Sequence, residues 1–145
     1  MVKATASILA LTLLSASCSA ENACTTGSEF EPPLCSSKYT EVASISITKN
    51  AATQPVEKNA EQDCRAFIVT EDALRQYFLN AKTTTANDAH HTLDWSPCYA
   101  SGSVEFRDGQ KATWEINQLR LGAITLSDRE QIVLYCPDCN FPPFM

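Results

Sequence analysis

The chain has 145 residues, seven of them cysteine, and a formal net charge of −6. That length makes one domain. An acidic surface disfavours nucleic acid and anionic lipid headgroups, whose phosphates need Lys and Arg. Acidity also serves solubility alone, but it is compatible with a basic protein partner.

Residues 1–20 have the three parts of an export signal. Lys3 gives a positive start, Ala4 to Leu14 carry no charge, and small residues fill positions 15–20 before the first acid, Glu21. An apolar run of about 11 residues is too short for the ~30 Å of a bilayer core, so it reads as a signal and not a membrane span. Two cleavage sites compete. Leu14-Ser15-Ala16-Ser17-Cys18 is similar to the bacterial lipoprotein pattern, in which the Cys is acylated and becomes the new N-terminus. It departs from that pattern because Ser15 stands where a Leu is wanted. The alternative is cleavage after Ala20. Removing residues 1–20 takes away one base, Lys3, and no acid, so the mature net charge is −7.

With Cys18 acylated or discarded, six cysteines remain, an even set: Cys24, Cys35, Cys64, Cys98, Cys136 and Cys139. In an exported chain these read as three disulfides, for which 15 connectivities exist. The pairing expected is Cys24 with Cys35, Cys64 with Cys98, and Cys136 with Cys139. The compartment is then the periplasm, with a membrane tether only if Cys18 carries lipid.

Residues 21–39 are rich in Ser and Thr and contain Pro32-Pro33, so they read as a spacer or outer loop. The domain proper is expected over 40–145. Residues 41–48 give a first strand, with Ile45 and Ile47 on one face. Residues 49–63, holding Pro55, Glu57, Lys58, Glu61 and Asp63, read as an exposed loop, and 64–69 as a second strand. Thr70 is a helix N-cap with Glu71 and Asp72 in the first turn. Ala73, Leu74, Tyr77, Phe78 and Ala81 recur at helical spacing, which predicts a helix over 71–81. The polar run from Lys82 to His91 is taken as a loop.

From Trp95 onward the period is two. Val104, Phe106, Ala112, Trp114 and Ile116 are all even, so residues paired across the Asp108-Gly109 turn must sum to an even number. A two-residue loop breaks that parity. A three-residue loop, 107–109, pairs Glu105 with Lys111 and Val104 with Ala112, with Gly109 left-handed. A second hairpin joins 123–127 to 131–136 around Asp128-Arg129-Glu130, with Ile124, Leu126, Ile132 and Leu134 facing inward. The fold class expected is α+β, a small disulfide-stapled antiparallel meander of about four to six strands with one packed helix.

Few motifs carry chemistry. Cys136-Pro137-Asp138-Cys139 has redox spacing, but the tail after it, Asn140-Phe141-Pro142-Pro143-Phe144-Met145, has no helical pattern to lower a thiol pKa. A zinc site would have to use His90-His91 as its second pair, and adjacent histidines rarely reach one metal. No Gly-x-Ser-x-Gly elbow is present. No cofactor or catalytic residue is therefore assigned. Asp94-Trp95-Ser96-Pro97-Cys98-Tyr99 is either a turn into a strand or an aromatic anchor for a partner. The Phe141–Phe144 tail is either a flap over the sheet or a docking strip. The binding residues expected are His90, His91, Asp94 and Trp95, joined by Phe141 and Phe144. The function expected is an exported, non-catalytic binding protein, an inhibitor or immunity protein for an envelope-directed enzyme or toxin. An assembly lipoprotein of the envelope and a small hydrolase or thiol-redox enzyme are the alternatives.

Overall fold

The structure, a computed structural model, describes residues 23–55 and 62–144. The expected export signal with Cys18, and the cluster Glu57, Lys58 and Glu61, lie outside these residues. The described part is one seven-stranded antiparallel sheet with two helices. The elements in chain order are β1 (Cys35–Ser36), β2 (Val42–Thr53), α1 (Glu71–Asn80), β3 (Lys82–Thr84), α2 (Ala86–Thr92), β4 (Cys98–Phe106), β5 (Lys111–Asn117), β6 (Leu121–Leu126) and β7 (Gln131–Tyr135). The strand order is β1-β3-β7-β6-β5-β4-β2.

The centre is the expected meander, β4-β5-β6-β7, and its first hairpin has the register that parity requires. Glu105 pairs with Lys111 and Val104 with Ala112. Gly109, at φ +85°, occupies the left-handed position, and its N–H donates to the Phe106 carbonyl at 2.9 Å. The second hairpin repeats the device one residue earlier than expected. Leu126 bonds Glu130, and the three-residue loop is 127–129 with Arg129 at φ 72°. A left-handed Arg is uncommon and costs more than glycine there, so the register came from the apolar pattern of the strands.

The even residues of the meander form the inner face. Trp114, Ile116 and Ile124 are almost entirely buried, with Val104, Phe106 and Leu134 around them. Against them lie Leu74, Tyr77 and Phe78 of α1, all fully buried. Thr70 caps α1 as expected, accepting from the Ala73 N–H at 3.2 Å. The Tyr77 hydroxyl donates to the backbone carbonyls of Arg120 and Leu134 at 3.1 and 3.3 Å. Its burial pushes its pKa well above the usual phenol value, which keeps it a neutral donor.

All three disulfides have the expected pairing: Cys24–Cys35, Cys64–Cys98 and Cys136–Cys139. They fit an oxidising, non-cytoplasmic compartment. Among the described residues, no helix is long and apolar enough to cross a membrane.

Several expectations need correction, beginning with the size of the fold: the sheet has seven strands where four to six were expected, and there are two helices where one was. Residues 64–69 are not a strand; a turn from the Cys64 carbonyl to the Phe67 N–H and the disulfide to Cys98 hold them as a strap. Asn50 bonds the Val69 backbone through both ends of its amide, at 2.9 Å each, and the Ala51 N–H donates to the Phe67 carbonyl at 3.1 Å, so the strap is tied to β2 by a side chain and one backbone bond. The first strand runs on to Thr53, through three register shifts that re-aim its side chains. Residues 82–91 are not a loop but β3 and most of α2. The missed signal was local: Thr85 is an N-cap, its hydroxyl accepting from the Asp88 N–H at 3.0 Å and donating to the Asp88 carboxylate at 2.6 Å. Finally, residues 24–39 are not only a spacer. β1 pairs with β3, and Leu34 and Tyr39 are buried.

Strand order dictates two crossings. β2 is at one edge and β3 lies one strand from the other edge, so the chain must cross the sheet between them, and α1 crosses on the inner face. It must then return to β4, and α2 crosses back on the outer face, over Thr125, Ala123 and Glu115.

Candidate functional site

The return crossing leaves a concavity on the outer face of the sheet. α2 is capped at Thr85 and buries only Ala89, because its remaining side chains are short or polar and give it no apolar stripe to press on the sheet. It stands off and leaves a groove of about 1050 Å³ between itself and the outer face. One wall is Ala86, Ala89, His90 and Leu93, with Trp95 at the mouth. The floor is the odd-numbered side of the meander, including Thr113, Glu115, Ala123, Thr125, Gln131 and Val133. Gln54, from the end of β2, donates its amide to the Glu115 carboxylate at 2.6 Å.

A second, shallower depression of about 590 Å³ shares Thr113 and Thr125 with the first and continues toward the hairpin tips, past Ser46 and Ser103. The two form one trough. A rank of hydroxyls crosses it in register, because Ser46 pairs with Ser103, Ser103 with Thr113, and Thr113 with Thr125. The Ser46 and Ser103 hydroxyls are 2.8 Å apart.

The expected binding residues divide into two groups. His90, His91, Asp94 and Trp95 follow one another along α2 and the segment after it. The two imidazole rings stand 5.3 Å apart, and Trp95 is 53% exposed. Of these, His90 and Trp95 line the groove. Phe141 and Phe144 are elsewhere. Phe144 is buried, its ring 5.4 Å from Tyr77 and 5.9 Å from Phe67, and Phe141 packs on it at 5.6 Å. The tail is therefore the flap, closing the inner layer on the far side of the sheet from Trp95. Arg120 fastens it, donating to the Pro137 carbonyl and the Asn140 side chain at 2.8 Å each.

Cys136 and Cys139 are bonded to each other and fully buried, which suits a staple, since an exchanging thiol must be reachable. Among the described residues, no three His, Cys, Asp or Glu side chains converge on a metal position.

Sequence reasoning missed one exposed feature. The Cys24–Cys35 bridge closes a loop that is pinned inside by the Thr25 N–H on the Leu34 carbonyl (2.8 Å) and the Leu34 N–H on the Thr25 hydroxyl (3.0 Å). At its tip the Ser28 hydroxyl accepts from the N–H groups of Phe30 and Glu31. Phe30 is 83% exposed there, between Glu29 and Glu31. An apolar residue amid polar spacing was the available signal. Compared with protein-family models, with curated proteins and with solved structures, the chain matches none.

Proposed function

We propose that this chain is an exported, non-catalytic protein that blocks a basic, envelope-directed enzyme or toxin, using the Cys24–Cys35 loop as its plug. The observation that supports this reading is Phe30, held in water on a loop that is already ordered. A Phe ring gains roughly 1.5–3 kcal/mol on moving from water into a pocket. A loop fixed in advance by a disulfide and short hydrogen bonds loses little further entropy on binding. Residues 21–37 hold Glu21, Glu29 and Glu31 and no Lys or Arg, which favours a pocket rimmed with bases. Trp95, the anchor expected from sequence, stands over a concave groove, a shape suited to receiving a ligand more than to entering a cleft.

The test uses the mature chain, residues 21–145, against basic wall hydrolases such as lysozymes and amidases, read by peptidoglycan lysis. Inhibition is expected, with association slowed by salt and dissociation nearly salt-independent. Phe30→Ser should weaken it by about 2 kcal/mol, mostly through the off-rate, with the thermal midpoint unchanged. Failure to inhibit any hydrolase, together with no envelope protein retained on the immobilised domain, overturns the reading.

A further inference from the structure

Beyond the plug, and independently of it, the outer-face trough has the chemistry of a site of its own. We propose that it binds a neutral oligosaccharide, lying along the trough with one sugar ring against Trp95.

The lining has two characters. The α2 wall is mainly apolar, made by Ala86, Ala89 and Leu93 with the His90 imidazole among them, and Trp95 continues it as a half-exposed aromatic surface. The floor opposite is a set of short hydroxyls and planar polar groups: Thr113, Thr125, Gln131 and the Gln54–Glu115 pair. A pyranose ring has the same division, with C–H groups on its faces and hydroxyls around its rim. A site that buries both needs an apolar or aromatic wall facing fixed donors and acceptors.

Other occupants fit less well. An acyl chain would cover Glu115, Gln131 and the threonine hydroxyls without replacing their hydrogen bonds to water, a penalty of a few kcal/mol per group. An extended peptide binds a sheet by adding to a free edge. Here the floor is the flat of β5 and β6, whose backbone groups are paired on both sides. An anion would meet Glu115, and no Lys or Arg lines the deeper groove. Length is set by the shared residues: Thr113 and Thr125 join the two depressions, so the trough extends well beyond one sugar.

The probes are the trimers of N-acetylglucosamine, glucose linked β-1,4 and glucose linked α-1,4, each titrated into the folded mature chain. Amide shifts on binding should map to Thr113, Glu115, Ala123 and Thr125, and leave Phe30 and its loop unmoved. Trp95 is exposed and Trp114 buried, but both line the groove, so a fluorescence change on binding is assigned to Trp95 only if Trp95→Ala abolishes it. Trp95→Ala should weaken binding at least about tenfold, with an unchanged thermal midpoint. Thr113→Val, which keeps the side-chain shape, should weaken it several-fold through the floor alone. If none of the trimers shifts these amides at about 10 mM, weaker than the affinity range of a specific site, the proposal fails. It fails equally if Trp95→Ala and Thr113→Val both bind as the parent does, or if dodecanoate or a neutral decapeptide occupies the trough and the trimers do not. Loss of hydrolase inhibition in Phe30→Ser leaves this result untouched, so the two readings stand or fall separately.

Discussion

The two helices do the same topological task on opposite faces of one sheet, with opposite results. α1 carries the chain from β2 to β3 and seals the inner face with Leu74, Tyr77 and Phe78. α2 carries it back from β3 to β4 and buries Ala89 alone. One crossing makes the core and the other makes a cavity. The difference lies in side-chain size and spacing. Residues 73, 74, 77 and 78 present large apolar groups at a helical repeat, whereas Ala86-Asn87-Asp88-Ala89-His90-His91-Thr92 has nothing large and apolar to set down. A helix without such a stripe is held by its cap and by the strands at its ends. It stays off the sheet, and the sheet's polar face stays open.

Variants should separate these two faces. Largest should be Trp114→Ala on the inner face, which removes a ring that is 2% exposed and whose indole N–H bonds the Ser103 carbonyl at 3.1 Å. The expected loss is about 3–5 kcal/mol in denaturant unfolding. Thr113→Val, its neighbour on the outer face, should change stability by less than about 0.5 kcal/mol. Equal losses in the pair would mean that the two faces are not distinct layers.

Next in size is the bridge that ties the strap before α1 to the start of β4. Cys64 and Cys98 are 34 residues apart, so Cys64→Ser/Cys98→Ser should cost about 3–4 kcal/mol by loop closure. The Cys136–Cys139 bridge spans 3 residues and should matter less to the unfolded chain's entropy. Calorimetry of the two double variants ranks them; the reverse order would refute the entropic account.

A smaller effect is expected at the cap of α2. Thr85→Ala should lose about 1 kcal/mol, and hydrogen exchange should show where. In the parent, α1 amides should exchange only by global unfolding and α2 amides by local opening; the variant should speed α2 alone. Exchange of α2 at the rate of α1 would show that α2 is part of the core. Smallest is Glu105→Ala, which loses an exposed 3.6 Å ion pair with Lys111. Less than about 1 kcal/mol is expected, and raising salt should shrink it further.

Much of the architecture can be read from the residues themselves. The parity of positions 104 to 116 determines the first hairpin down to the left-handed Gly109, because a slip of one residue would turn every apolar side chain to water. Thr70 and the repeat from Ala73 to Ala81 determine α1, and six cysteines after residue 18 predict three bridges, while the choice among fifteen pairings belongs to the fold. These features depend on interactions within a few residues or on a strict period. What the tertiary structure decided has a longer range. β1 and β3 are two and three residues long, too short to show a period, and exist because β7 offers a free edge. Residues 64–69 carry strand-like apolar character, but a disulfide and Asn50 bind them first. The Phe141–Phe144 tail has the composition of a docking strip, but Tyr77 and Phe67 supply the rings that bury Phe144, and Phe141 packs half-buried on it. The groove is the furthest from sequence: it exists because two short strands at one edge force α2 to travel back across a face it cannot cover. The sequence determined which residues are apolar and how they alternate; only the closed sheet decided which surface was left without a cover.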